Sequence, residues 1–276
     1  MNDKHITGTS RYWTYHNDRS PSILMIHGFR GTHHGLEEII KNLPEFRAIV
    51  PDLPGFGESE EFDGKHDLKN YLRFVGEIQA ITAAEKPQIL LGHSFGSIIA
   101  AQYAATHPNK VDRLILINPI SAPALHGPKA TMTRLAILYY WLGRKLPAPA
   151  SKKWLSSPLI VDIMSGQMTV SKERQLRDYI YQQHRQHFSQ FASPRVVAEA
   201  FRASVEHTVT EVAPQLTMPT LVIGAEKDQV SSHSSQRALA TSLAHATYVE
   251  LQNVGHLVHY EKPTEAAAAI RTFLTS

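Results

Sequence analysis

The sequence predicts an α/β protein, a mostly parallel, twisted sheet with helices on both faces. Three observations carry this. Short runs that are apolar throughout and rich in β-branched residues recur along the chain. Stretches with apolar residues at helical spacing lie between them. The alternation stops near residue 120 and resumes near residue 213.

Arg11-Tyr12-Trp13-Thr14-Tyr15 reads as an edge strand ahead of the first buried one. Ile23–Ile26 ends at His27-Gly28, Arg47–Val50 at Pro51, Gln88–Leu91 at Gly92, and Arg113–Ile117 at Asn118-Pro119. Runs that are apolar on both faces suit buried parallel strands. Helices are expected near 34–43, 67–84 and 95–106. The second carries Leu68, Tyr71, Leu72, Val75, Ile78 and Ile81 on one face. Strand–helix–strand repetition requires right-handed crossovers and a parallel sheet.

From 120 to 212 no strand run occurs. Helical patterns near 130–143, 172–190 and 194–207 are separated by clusters such as Pro147-Ala148-Pro149. The alternation resumes with strand Thr220–Ile223, a helix near 233–243, strand Thr247–Leu251 and a helix at 263–274. The expected organisation is therefore a core of residues 1–119 and 213–276, interrupted by a helical insertion at 120–212.

Composition narrows the classes of function. The chain has 276 residues, of which 42% are hydrophobic and 19% charged. That excludes a disordered, collagen-like or coiled-coil protein. With no cysteine, disulfide scaffolds, thiolate metal sites and a cysteine nucleophile are all excluded. The net charge is +3 and the basic residues are scattered, the densest cluster being Lys152-Lys153 shortly after Arg144 and Lys145. No basic stripe predicts a nucleic-acid partner. No apolar segment follows the Met1–His5 start, and the longest apolar run, Leu135–Leu142, is eight residues. A membrane span needs about 20. The expectation is a cytoplasmic protein without a membrane span.

Gly92-His93-Ser94-Phe95-Gly96 fits G-x-S-x-G, with a buried strand before it and a helical stretch after it. A serine on so tight a turn needs small residues two positions away on each side, where helix and strand approach closely. The helix N-terminus beneath it favours developing negative charge. A serine hydroxyl also needs a base. His256, in Asn253-Val254-Gly255-His256, follows the last strand, and Asp228, in Gly224-Ala225-Glu226-Lys227-Asp228, follows the strand before it. An acid there would hold the imidazole tautomer.

These residues, together with His27-Gly28-Phe29, Asp52-Leu53-Pro54-Gly55-Phe56-Gly57-Glu58-Ser59 and the Glu261 and Pro263 that follow His256, resemble the α/β-hydrolase superfamily of esterases, lipases and C–C hydrolases. The resemblance runs from about residue 11 to 275 and is weakest in the insertion, which it makes a lid. It implies an α/β-hydrolase fold, a catalytic triad of Ser94, Asp228 and His256 in that chain order, and an oxyanion hole of the Phe29 and Phe95 backbone N–H groups. The implied function is carboxylesterase-like (EC 3), cleaving a small-molecule ester or related acyl bond through an acyl-enzyme. C–C bond hydrolysis, lactonase, amidase or peptidase activity, and a hydrolase-like receptor with little turnover, are the alternatives on the same scaffold.

Other residues compete for these roles. Asp52 and Glu226 are rival acids, with Asp52 in the resembling family stabilising its loop. In some relatives the acid follows the strand before the lid, where this chain has Asn118, which carries no charge. The pairs His33-His34, His184/His187 and His256/His259 lack the H-E-x-x-H pattern, so neither a metal nor a cofactor is expected. His184 and His187 are expected on an exposed polar face, His27 in an ordering role, and Arg30 as an exposed loop arginine. The aromatic residues Tyr12, Trp13 and Tyr15 are expected to cover the sheet edge. Leu135–Leu142 is expected to pack the lid onto the core, to wall a pocket for an apolar acyl or aromatic substrate, or both.

Overall fold

The computed structural model describes residues 2–7, 10–82, 88–125 and 130–276. Residues 83–84 of the predicted second helix and 126–129 of the predicted insertion lie outside the described residues.

Eight strands form one sheet: β1 (Asn2–Thr7), β2 (Ser10–Tyr15), β3 (Ser22–Ile26), β4 (Arg47–Pro51), β5 (Gln88–His93), β6 (Val111–Ile117), β7 (Thr220–Ala225) and β8 (Ala246–Leu251). Their order is β1-β2-β4-β3-β5-β6-β7-β8. The β1–β2 and β2–β4 pairs are antiparallel and all others are parallel. The predicted sheet is thus observed, with one difference. The edge is β1, and β2 is an inner strand between β1 and β4. Asn2–Thr7 escapes an apolar-run search because an edge strand with solvent beside it needs no continuous apolar sequence.

Period-two alternation divides the strand side chains between two cores. Leu24, Ile26, Leu90, Leu114, Leu116 and Val222 point to one face. They pack there against Tyr71, Phe74 and Ile78 of α2 (Leu68–Thr82), Ile98 and Ile99 of α3 (Phe95–Thr106), and Leu239 of a later helix (His233–Ser242). Ile23, Met25, Leu91, Ile115, Ile117 and Ile223 point to the other face. There they meet Ile39 and Ile40 of α1 (Glu37–Lys41) and Ile270 and Phe273 of the C-terminal helix (Pro263–Thr275).

Between β6 and β7 the described chain is helical: α4 (Ala130–Lys145), α5 (Ala148–Leu155), α6 (Pro158–Met168), α7 (Arg174–His187) and α8 (Pro194–Glu206). The helix His233–Ser242 is α9, the short helix Val258–Glu261 is α10, and Pro263–Thr275 is α11. The carboxyl ends of β3, β5, β6, β7 and β8 lead into the loops bearing Phe29, Ser94, Asn118, Asp228 and His256. In an open parallel sheet this edge forms the natural binding crevice.

Candidate active site

Ser94 lies between β5 and α3 with φ +53° and ψ −119°, a conformation rarely adopted by a residue with a side chain. The flanking glycines make the turn possible. A Cβ on Gly92 would stand 2.3 Å from the Gly96 carbonyl oxygen, and one on Gly96 only 2.1 Å from that of Ile26. The Ser94 amide donates to the Ile117 carbonyl at 3.1 Å, anchoring the turn to β6.

The structure brings Ser94, Asp228 and His256 together. Ser94 Oγ is 2.7 Å from His256 Nε2, and His256 Nδ1 is 3.0 Å from both Asp228 oxygens. A carboxylate only accepts, so Nδ1 carries the proton and Nε2 is left to accept from the serine hydroxyl. Asp228 also accepts from the Val230 and Ser231 amides at 2.8 and 3.1 Å on Oδ1. On Oδ2 it accepts from Asn118 Nδ2 at 2.8 Å and Gln236 Nε2 at 2.9 Å. Burial pushes the Asp228 carboxyl up, but the neighbouring His256 and these donors outweigh it and hold the group below the usual carboxylate range.

Asn118 and Gln236 were missed as site residues. The sequence marks Asn118 only as a place where no acid stands. Its position at the end of β6, beside β7, was the available signal that it would reach a group following β7. Gln236 lies on α9, and no motif marks it.

Asp52 and Glu226 stand elsewhere. Asp52 accepts from the His33 amide and ring at 2.7 and 2.9 Å and from the Glu58 amide at 2.9 Å. Gly57 has φ +57°, and a Cβ there would lie 2.0 Å from Asp52 Oδ2, so this carboxylate fills its own turn. Glu226 accepts from the Asn253 amide at 2.8 Å. His27 accepts at Nε2 from the Leu53 amide at 2.9 Å and donates from Nδ1 to the Gly28 carbonyl at 2.8 Å. It thereby ties the loop after β3 to the loop after β4. A Cβ on Gly28 would come within 3.2 Å of Ser94 Cβ, so the loop carrying Phe29 runs directly against the serine turn.

Phe29, Ser94, Phe95 and His256 line a cavity of about 210 Å³, whose walls include Ile120, Met164, Phe201, Val205 and Val230. A larger groove of about 670 Å³, between α4 and α8, contains none of these four residues.

Several expectations about burial are corrected. Arg30 is 1% exposed, because the helical segment folds over it. Its Nε donates to the Phe188 carbonyl at 2.8 Å and its Nη2 to the Leu155 carbonyl at 2.9 Å. His184 and His187 are 0% and 6% exposed. The face of α7 that carries them turns inward, where His184 stacks on Phe188 and His187 lies against His34. Burial lowers His93 and His184 to about 3 and His187 to about 4, keeping all three neutral at ordinary pH. Leu135–Leu142 divides: Tyr140 is buried against Phe29 and Phe201, while Leu135, Leu138, Trp141 and Leu142 face outward.

His33, His34 and Glu37 bring potential metal-ligand atoms within 4.8 Å of one another. The Nδ1 atoms of both rings already have partners, since His33 Nδ1 donates to Asp52 and His34 Nδ1 to Glu37 at 3.1 Å. Among the described residues no helix is long and apolar enough to cross a membrane.

A family model described as alpha/beta hydrolase fold matches residues 21–263. Human monoacylglycerol lipase ABHD6 is 26% identical over 267 residues, covering 93% of this chain and 76% of the relative. A probable 1-acylglycerol-3-phosphate O-acyltransferase from Oryza sativa subsp. japonica is 24% identical, covering 92% of this chain and 67% of the relative. Among solved structures, the enol-lactonase of Burkholderia xenovorans LB400 superposes with a TM-score of 0.80 at 18% identity, covering 99% and 100% of the two chains. A thermophilic esterase from Thermogutta terrifontis superposes with a TM-score of 0.78 at 22% identity, covering 100% and 98%.

Proposed function

The chain belongs to the alpha/beta hydrolase fold family, an enzyme family with esterase and lipase members, and on that footing we propose that it is a serine hydrolase cleaving a small-molecule ester or related acyl bond. The observation that carries this reading is the 2.7 Å contact between Ser94 Oγ and His256 Nε2, on a ring whose Nδ1 lies 3.0 Å from Asp228.

The chemistry follows from those positions. Ser94 Oγ attacks the acyl carbon as His256 Nε2 takes its proton. Asp228 holds the ring and stabilises the imidazolium without taking the proton. The backbone N–H groups of Phe29 and Phe95 receive the oxyanion, each contributing about 3–4 kcal/mol to the transition state. His256 then protonates the departing alcohol. Water, deprotonated by the same nitrogen, attacks the acyl-Ser94 ester, and the tetrahedral species collapses to acid and free serine. Five hydrogen-bonding groups on Asp228, one of them His256, favour a fixed carboxylate over one that shares its proton.

The helices between β6 and β7 serve as a lid over this cavity. Arg30 donates to two of their carbonyls, and Glu261 accepts from the Val170 and Ser171 amides, so both ends of the site are fastened to the lid. The largely apolar wall, with Ile120, Met164 and Phe201, suits an apolar acyl or aromatic group. A fluorophosphonate probe tests the reading. It is expected to label the native chain and leave Ser94→Ala unlabelled, and failure to label folded native protein would overturn it.

A further inference from the structure

Among the described residues ten large hydrophobic side chains are exposed, and eight of them fall between Leu135 and Ile163. A typical water-facing surface scatters such residues singly. On α4, Leu135, Leu138 and Leu142 recur at helical spacing with Trp141 beside them, forming one outward stripe in which Leu135 is 54% and Trp141 46% exposed. The opposite side of α4 faces inward. Tyr140 packs on Phe29, and Gly143 receives α5, whose Ser151 hydroxyl donates to the Gly143 carbonyl at 2.6 Å. Trp154 of α5 stacks on Tyr139 at 5.4 Å, extending the apolar surface from α4 onto α5.

The same two helices carry a second feature. Arg134, Arg144, Lys145, Lys152 and Lys153 are all exposed. Asp162 is the only acid from residue 130 to 163, and Arg185 already binds it through two hydrogen bonds. Among the described residues none of the five basic groups pairs with a carboxylate. Tryptophan and leucine set among unneutralised lysine and arginine form the pattern that lies in the interface of an anionic bilayer. A second copy of this chain would bring five positive charges against five, which repel.

We propose that the α4–α5 surface docks the protein peripherally on anionic lipid membranes. The indoles and leucines enter the headgroup–acyl boundary, and the lysines and arginines meet lipid phosphates. The proposal goes beyond the serine-hydrolase reading and stands independently of it, since no residue of the surface belongs to the catalytic site.

Co-sedimentation of the full chain with vesicles tests it, using phosphatidylcholine alone or with about 30 mol% phosphatidylglycerol. The native protein is expected to partition onto the anionic vesicles and to come off at high salt. Replacing both Lys152 and Lys153 by Ala should weaken partitioning about 5-fold per lysine. Replacing both Trp141 and Trp154 by Ala should also weaken binding to the anionic vesicles. Hydrolysis of a water-soluble ester should stay unchanged in both variants, and the melting temperature should stay unchanged in the lysine variant. If either variant fails to fold, native tryptophan fluorescence decides: brominated phosphatidylglycerol should quench it. Absence of partitioning and quenching with anionic vesicles overturns the proposal, as does partitioning that survives both double replacements. A dimer in sedimentation that Trp141→Ala dissolves assigns the face to self-association and equally overturns it.

Discussion

Acid should unfold this protein through its buried histidines, and the size of the effect follows from where they lie. His93 sits behind Ser94 at the end of β5, and His184 packs between Phe188 and Ser165. Burial lowers both to about 3, against an ordinary value near 6.5. In the unfolded chain each takes a proton as pH falls through about 6.5, while in the folded chain neither does. The unfolded state therefore binds more protons, and stability falls with pH. Their contribution is complete above about pH 6.5 and is lost progressively as pH drops toward the folded values. Integrated from about pH 6.5 to 5, each histidine removes about 1.6 kcal/mol, so the pair removes about 3 kcal/mol. This is a large share of a total stability that is commonly about 5–15 kcal/mol. His259, also lowered by burial, acts in the same direction. Urea unfolding at a series of pH values in that window reads the slope. In His184→Asn the amide NH2 can keep the contact to Ser165, whose hydroxyl donates to Val161 and accepts from His184 Nδ1 at 2.7 Å in the native chain. The variant should reduce the loss by about 1.6 kcal/mol, the share of one histidine. Stability that stays flat from pH 6.5 to 5, or a slope that His184→Asn leaves unchanged, would refute the reasoning.

Further outcomes follow from the same geometry. Asp228→Asn should lower kcat by up to about 10⁴-fold with little change in fold, because a neutral amide no longer fixes the imidazole tautomer or stabilises the imidazolium. Asp52→Asn should instead lower thermal stability, since it weakens the acceptor for the His33 and Glu58 groups, and the reverse pattern would exchange the two assignments. Gly96→Ala should give inactive or insoluble protein, because the new methyl would press on the Ile26 carbonyl 2.1 Å away. Arg30→Met should cost about 2–5 kcal/mol in urea unfolding, since it leaves the buried Leu155 carbonyl and the part-buried Phe188 carbonyl without their donor.

How far the sequence could be read depended on whether a residue's role was local. The serine turn was legible because strand, glycines and helix are contiguous from Gln88 to Tyr103. Asp228 and His256 were legible because each follows a strand whose carboxyl end the parallel topology brings to one edge. The burial of Arg30, His184 and His187 was not legible. It depends on α7 and the end of α5 folding back over the loop after β3, contacts made across more than a hundred residues for Arg30 and Leu155. Short-range periodicity carries no record of them. Asn118 shows a third case, where its place was noted but its partner lies 110 residues away. β1 was not legible because five of its six residues are polar, and an edge strand is held by backbone pairing to β2.

Mass spectrometry of protein quenched in acid during turnover of 4-nitrophenyl butyrate would test the acyl-enzyme most directly. A butyryl group on the peptide containing Ser94, absent in Ser94→Ala and accumulating in an early burst, is the expected result. Turnover without acylated Ser94, or an acyl group on another residue, would contradict it.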